Sequence, residues 1–166
     1  MPFTLEQINR MPVAEFVEAA GWVYEHSPWV AERASASRPF GSFDDMCDRM
    51  NAVVETASAE ERVSLLRAHP DLGTRARISP SSTAEQQGVG LDQLTAAEYE
   101  KLLRLNTAYK QKFGFPFLFA VRGSNKFAIL EALESRLESS PDAEFAEALR
   151  QVSRIARFRL DTVVLA

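Results

Sequence analysis

Two short segments in the middle of the chain collect side chains that move protons and bind polar ligands. The first, His69-Pro70-Asp71-Leu72-Gly73, holds one of the two histidines of the protein beside a carboxylate. The second, Ser82-Thr83-Ala84-Glu85-Gln86-Gln87-Gly88, offers a hydroxyl, a carboxylate and amides within seven residues. Imidazole and carboxylate are the usual general acids and bases, and loops on a rigid scaffold are where such groups tend to sit. Pro70 disfavours helical geometry at His69, so the histidine stands where a helix must stop. A third unusual segment, Lys112-Phe113-Gly114-Phe115-Pro116-Phe117-Leu118-Phe119, is aromatic and apolar.

Each candidate has a plainer reading. His69 at a helix end is favoured by the helix dipole with no chemistry implied. Asp71 has the position of a turn cap. Ser82 and Glu85 have capping-box spacing, and on spacing alone the cap prevails. A helix starting at Ser82 would still present free N–H groups to an anion. The arginines separate by helical phase. With Val152 at zero and roughly 100° per residue, Phe145, Leu149, Ile155, Ala156, Arg159 and Val163 lie within about 60°. Arg159 therefore falls on the buried stripe, where it needs a carboxylate partner or an anionic ligand. Arg157 and Arg154 fall on the solvated side. The Phe113–Phe119 run reads as core, although an extended backbone without a partner strand offers N–H and C=O groups to a ligand. Asn106, Tyr109 and Asn125 are left without a role by the residues themselves. Taken together, His69, Glu85 or Gln86, and Arg159 suit a small, planar, anionic substrate rich in hydrogen-bonding groups. No nucleophile motif, phosphate loop or metal cluster competes.

The elements that must position these groups are helical. Thr4 with Gln7, Ser58 with Glu61 and Thr95 with Glu98 have capping-box spacing. Ser27-Pro28 and Ser140-Pro141 place a capping serine before a proline at the first helical position. Gly21 and Gly114 sit where a glycine stop belongs. These signals predict helices near 5–10, 12–20, 28–36, 43–57, 59–68, 96–113, 125–139 and 141–164. Residues 70–94, rich in Gly, Pro and Ser, read as one long connection. Loops beyond roughly 15 residues in a compact domain are usually functional or disordered, and this one carries the polar candidates. Residues 115–121 read as an extended segment threaded between helices, since no partner strand is evident. The fold expected is an all-α, single-domain bundle of about eight helices spanning 1–166.

Composition limits the function classes. The 166 residues suffice for a core, and the net charge of -4 argues against a nucleic-acid footprint. No apolar run has the length of a membrane span. The first residues lack a secretory pattern and Val164-Leu165-Ala166 is not the peroxisomal tripeptide. One cysteine, Cys47, excludes an intrachain disulfide and, with two histidines, makes a zinc site improbable. A cytoplasmic protein without a metal is the expectation.

At these residues the chain resembles the 2-oxo-4-hydroxy-4-carboxy-5-ureidoimidazoline (OHCU) decarboxylases of urate degradation. The matching pieces are His69 to Leu72; Ser82, Glu85, Gln86, Gly90 and Leu91; Asn106, Tyr109 and Lys112 to Phe117; and Arg159-Leu160. Arg38-Pro39-Phe40 and Asn125-Lys126 fit as well. The resemblance covers nearly the whole chain. It departs at Leu72-Gly73-Thr74-Arg75, where the family more often has Leu-Ala-Gly-Arg. It implies an all-helical enzyme that uses no metal or cofactor and converts its substrate to (S)-allantoin and carbon dioxide. It also implies His69 and Glu85 as catalytic groups, with Pro70, Ser82, Gln86, Phe117, Leu118, Phe119, Ala120, Val121 and Arg159 binding substrate. A homodimer is a further implication. Two other classes stand beside this reading: a helical protein-interaction module, and an enzyme of a neighbouring step in urate degradation.

Overall fold

The computed structural model describes residues 1–73 and 79–165. Thr74 and Arg75, part of the departure noted above, lie outside the described residues, as does the rest of 74–78. The described residues form helices joined by turns, with an isolated parallel bridge between Phe3 and Val164 as their sole β pairing.

The chain forms two compact units. The first contains residues 1–68 and the chain from Val152 onward. Its helices are α1 (Leu5–Arg10), α2 (Val13–Ala20), α3 (Trp29–Ala34), α4 (Phe43–Thr56) and α5 (Ala59–Arg67). Capping boxes at Thr4/Gln7 and Ser58/Glu61 start α1 and α5 as the spacing predicts. Ile8, Phe16, Ala20, Val30, Met46, Met50, Leu65 and Leu66 fill its core. The turn before α4 is held by side chains. Asn9 gives Nδ2 to the Phe40 carbonyl at 2.9 Å and accepts the Phe40 N–H at 2.7 Å. Arg38 donates to the carbonyls of Ile8 and Met11 at 2.9 and 2.7 Å, with a cis peptide to Pro39.

The second unit, His69–Gln151, contains α6 (Pro80–Gln87), α7 (Ala96–Phe113), α8 (Lys126–Arg136) and the first half of α9 (Pro141–Val163). Thr95 and Glu98 box the start of α7, and Gly114, left-handed at φ 81°, ends it. Asn125 caps α8, which supplies the role that sequence left open. Ser140 Oγ accepts the Ala143 N–H at the start of α9. Tyr109 is fully buried at the centre of an aromatic cluster, with Phe113, Phe115 and Phe117 at ring-centroid distances of 4.6, 5.9 and 5.5 Å. Burying one such ring contributes about 1.5–3 kcal/mol.

Five expectations need correction. The connection over 70–94 contains helix α6, begun by Ser79, whose hydroxyl accepts the Ser82 N–H at 3.2 Å, with Pro80 at the first helical position. The Ser82–Glu85 capping box therefore does not form, because the helix starts one turn earlier. Ser27 caps nothing; its hydroxyl donates to the Glu25 carbonyl at 2.9 Å. Gly21 stays right-handed at φ -67° and leads into a 3-10 turn, Gly21–Val23, rather than stopping the chain. The helices expected at 28–36 and 125–139 are shorter, ending at Ala34 and Arg136.

Residues 115–121 are neither helical nor paired as a strand. In α9, Val152, Ile155, Ala156, Arg159 and Val163 are buried while Arg154 and Arg157 are exposed, which is the phase predicted from the helical wheel. Phe145 and Leu149, on the same stripe, are half-buried.

Candidate active site

Helix α6 inverts the usual pattern of burial. A surface helix normally turns an apolar stripe inward at three- and four-residue spacing. Here the inward positions are polar: Ser82 and Gln86 are 5% and 7% exposed, and Glu85 is half-buried between them. Ser82, Glu85 and Gln86 stand at i, i+3 and i+4, one face of one helix. Five of the eight residues of α6 are Ser, Thr or Gln, with no apolar side chain larger than Ala84 or Pro80, so this helix gains little from hydrophobic burial.

The turn after His69 is fastened to that face. His69 is itself buried, 7% exposed, and Pro70 is half-buried. The Gly73 N–H donates to Gln86 Oε1 at 2.8 Å, and Asn106 Nδ2, from α7, donates to the Leu72 carbonyl at 3.0 Å. Both bonds act on one peptide group, the carbonyl of Leu72 and the N–H of Gly73. A backbone N–H can only donate, so the Gln86 side-chain oxygen must face Gly73. Its Nε2, a two-proton donor, is left for another acceptor. Gly73 has φ 73°, and a Cβ there would come within 2.2 Å of Leu102 Cδ2, so the turn demands glycine. Asp71 pairs with Lys110 Nζ at 3.4 Å rather than capping a turn. This exposed pair adds little stability.

The extended segment is held by side chains. Arg136 gives Nη1 to the Leu118 carbonyl at 2.6 Å and lies 4.5 Å from the centroid of the Phe117 ring. Gln151 Oε1 accepts the Ala120 N–H at 2.9 Å. Phe117, Leu118, Ala120 and Val121 are buried and Phe119 is half-buried. Two of the backbone groups thought available to a ligand, Leu118 C=O and Ala120 N–H, are thus used within the protein. Arg136 also donates Nε to the buried Glu144 at 2.6 Å, and the Tyr109 hydroxyl donates to the same carboxylate. Burial, then that carboxylate, holds the Tyr109 phenol well above its ordinary pKa.

Arg159 belongs to the first unit. Its Nη1 lies 2.9 Å from Glu25 Oε2, both side chains almost fully buried, and 3.4 Å from the Val23 carbonyl. The Trp22 ring centroid is 6.0 Å from the guanidinium carbon. Of the two partners sequence allowed, a carboxylate or an anionic ligand, the structure supplies the carboxylate. Sequence reading missed Glu25: it lies in the non-periodic stretch Val23-Tyr24-Glu25-His26-Ser27, far from Arg159 along the chain. Its neighbour His26, at the rare φ of 47°, is exposed and 3.7 Å from the same carboxylate. Asn106, which has no evident role in the sequence pattern, gains one from its bond to the Leu72 carbonyl.

Among the described residues no group of three His, Cys, Asp or Glu side chains is arranged to hold a metal, and no helix is long and apolar enough to cross a membrane. The arrangement in the second unit combines a buried imidazole, a half-buried carboxylate, a buried hydroxyl and an oriented amide donor. That set can hold a polar ligand and move protons on it.

Comparison with known proteins places the chain in a family. The model of the OHCU decarboxylase family matches residues 9–161. A 2-oxo-4-hydroxy-4-carboxy-5-ureidoimidazoline decarboxylase of Haloferax volcanii is 50% identical over 157 residues, covering 95% of this chain and 94% of its own. A uric acid degradation bifunctional protein of Bacillus subtilis is 43% identical over 162 residues, 98% of this chain and 33% of that relative. The crystal structure of an (S)-allantoin synthase matches with a TM-score of 0.79 at 34% identity, over 95% of this chain and 53% of that one. With the family model spanning most of the sequence and a relative half identical over nearly its full length, the chain belongs to the OHCU decarboxylase family.

Proposed function

We propose that this chain decarboxylates 2-oxo-4-hydroxy-4-carboxy-5-ureidoimidazoline to (S)-allantoin and carbon dioxide in urate degradation, with His69 and Glu85 as its proton-handling groups. The observation that carries the assignment of residues is the polar inward face of α6, fastened through Gln86 to the turn that follows His69.

The chemistry asks little of a cofactor. When the bond to the carboxylate breaks, its electron pair passes into the ring toward the adjacent imine, which serves as the electron sink. The imine nitrogen must then take up a proton, another must reach the carbon that bears the ureido group, and the substrate hydroxyl must lose one as the carbonyl forms. His69 is proposed to take part in the proton transfer and Glu85 to engage the hydroxyl or a ring N–H. Delivery to one ring face yields one enantiomer. Ser82 and Gln86 supply hydrogen bonds that orient the ring. Arg159 is proposed as the cation for an anionic or carbonyl oxygen, with the resemblance as its support and Glu25 as its fixed partner. Pro70 and the stretch from Phe117 to Val121 are proposed to line the substrate; Ala120 N–H is already given to Gln151, while Leu118 C=O accepts from Arg136 and keeps a second lone pair.

The same reading makes residues 1–166 one catalytic domain acting on a free small molecule, without nucleic acid. It places the protein in the cytoplasm and, by resemblance, makes it a homodimer. The test generates the unstable substrate in situ from urate with urate oxidase and hydroxyisourate hydrolase, then follows allantoin chirality by circular dichroism. Wild-type protein should give rapid (S)-allantoin. His69→Asn should lose about 10²-fold or more in turnover while keeping its fold, the usual scale for a general acid–base group. Near-normal turnover in that variant would remove His69 from the chemistry. A slow racemic product with folded wild-type protein would remove the activity itself.

A further inference from the structure

We propose that Asn106 is a positioning residue of this site, acting through the Leu72–Gly73 peptide to aim and polarise the Gln86 amide toward the substrate. The proposal rests on the reading of Gln86 as a substrate-binding residue.

Three amide groups stand head to tail. Asn106 Nδ2 donates to the Leu72 carbonyl at 3.0 Å, and the N–H of the same peptide unit donates to Gln86 Oε1 at 2.8 Å. Donation into a peptide carbonyl draws electron density along the conjugated unit and makes its N–H a stronger donor. That N–H in turn draws density from the Gln86 carbonyl and strengthens Nε2 as a donor, the cooperative effect expected of hydrogen-bond chains in a low-dielectric interior. The chain is also a mechanical constraint. Glutamine has three side-chain torsions, and the bond from Gly73 sets the plane of its amide; Asn106 sets the plane of the peptide that makes that bond. The substrate is rich in acceptors, a ring carbonyl, a carboxylate and a ureido carbonyl, so an aimed N–H donor is the complementary group.

The identity of residue 106 supports a role beyond filling space. Asn106 is 4% exposed on α7, and its Oδ1 is buried without a hydrogen bond among the described residues. An apolar side chain would occupy this volume without leaving a buried acceptor unmet. What asparagine adds is the donor to Leu72, whose peptide continues to Gln86.

A double-mutant cycle tests the proposal. Asn106→Ala should raise KM about five- to tenfold, the scale of one net hydrogen bond, with kcat within about twofold. Asn106→Leu, which keeps about the volume and removes the donor, should do the same and guards against a cavity effect in the alanine variant. In a Gln86→Leu background neither substitution should change KM further. A full additional loss in that background would make Asn106 merely structural and overturn the relay, as would a fall in kcat with KM unchanged. If Gln86→Leu alone leaves KM unaltered, the reading of Gln86 fails instead. On the wild-type protein, the Gly73 amide should exchange slowly with solvent and faster in Gln86→Leu. Rapid exchange in the wild type would show that the central bond of the relay does not persist.

Discussion

Gly73 and Gly90 both have left-handed backbones, at φ 73° and 82°, yet their surroundings differ. A Cβ on Gly73 would meet Leu102 Cδ2 at 2.2 Å and Leu94 Cδ1 at 3.4 Å, whereas one on Gly90 would meet nothing within 4 Å. Leu102 is 1% exposed, so it has little room to yield. Substituting alanine at either site forces an L-residue into the left-handed region at a cost of about 1–2 kcal/mol. It also stiffens the unfolded chain, which offsets roughly 0.4–1 kcal/mol and does so equally at both positions. At Gly73 alone the overpacking of Leu102 adds about 1–3 kcal/mol. Gly73→Ala should therefore be less stable than Gly90→Ala by about 1–3 kcal/mol, read as a lower midpoint in urea unfolding with unchanged slope. On heating, the gap should be roughly 2–12 °C for a chain of this size. Gly73→Ala should also raise KM, because its N–H holds Gln86, while Gly90→Ala should not. Equal stability losses would refute the packing argument and mean that the turn rearranges to admit a side chain.

Two further outcomes follow from charge. Glu25→Gln leaves the buried Arg159 without its carboxylate and should cost about 3–5 kcal/mol of stability in urea unfolding; the double variant with Arg159→Gln should lose less than the sum of the singles, and simple additivity would contradict the pairing. Glu61 is held down to about 2 by the Arg33 guanidinium and by the Ser58 N–H, against an ordinary value of 4.5. A folded pKa below the unfolded one means that the folded state binds fewer protons. The stability this pair contributes is therefore present above about pH 4.5 and lost as pH falls from there toward about 2. Glu61→Gln should flatten the dependence of unfolding free energy on pH across that window, and an unchanged slope would dismiss the pair.

The local grammar of helix ends was readable because it is written in neighbouring residues. Thr4/Gln7, Ser58/Glu61 and Thr95/Glu98 each form the reciprocal bonds their spacing implies, and Gly114 adopts the left-handed stop. Helix α6 carried the same Ser-Pro signature at Ser79-Pro80 as α9 does at Ser140-Pro141, but the surrounding glycines and serines masked it. With no apolar stripe, α6 has no periodicity to detect, because its inward positions are Ser82 and Gln86 rather than large apolar side chains. Glu25 was illegible for a different reason. Helical phase shows that Arg159 is buried and must be neutralised, but not which carboxylate far along the chain answers it. Asn106 and Gln86 share that limit, since the peptide that joins them becomes visible once the turn after His69 is folded.

The bridge between Phe3 and Val164 has a mechanical meaning. The Phe3 N–H donates to the Val163 carbonyl and the Leu165 N–H to the Phe3 carbonyl, each at 2.7 Å, so residues near the two ends of the sequence run side by side in the same direction. A pull applied through those ends loads both bonds together, in shear, instead of opening them one after the other. A short linker across the same gap would turn the polypeptide into a ring with little disturbance, leaving an exposed turn elsewhere as the place to open it.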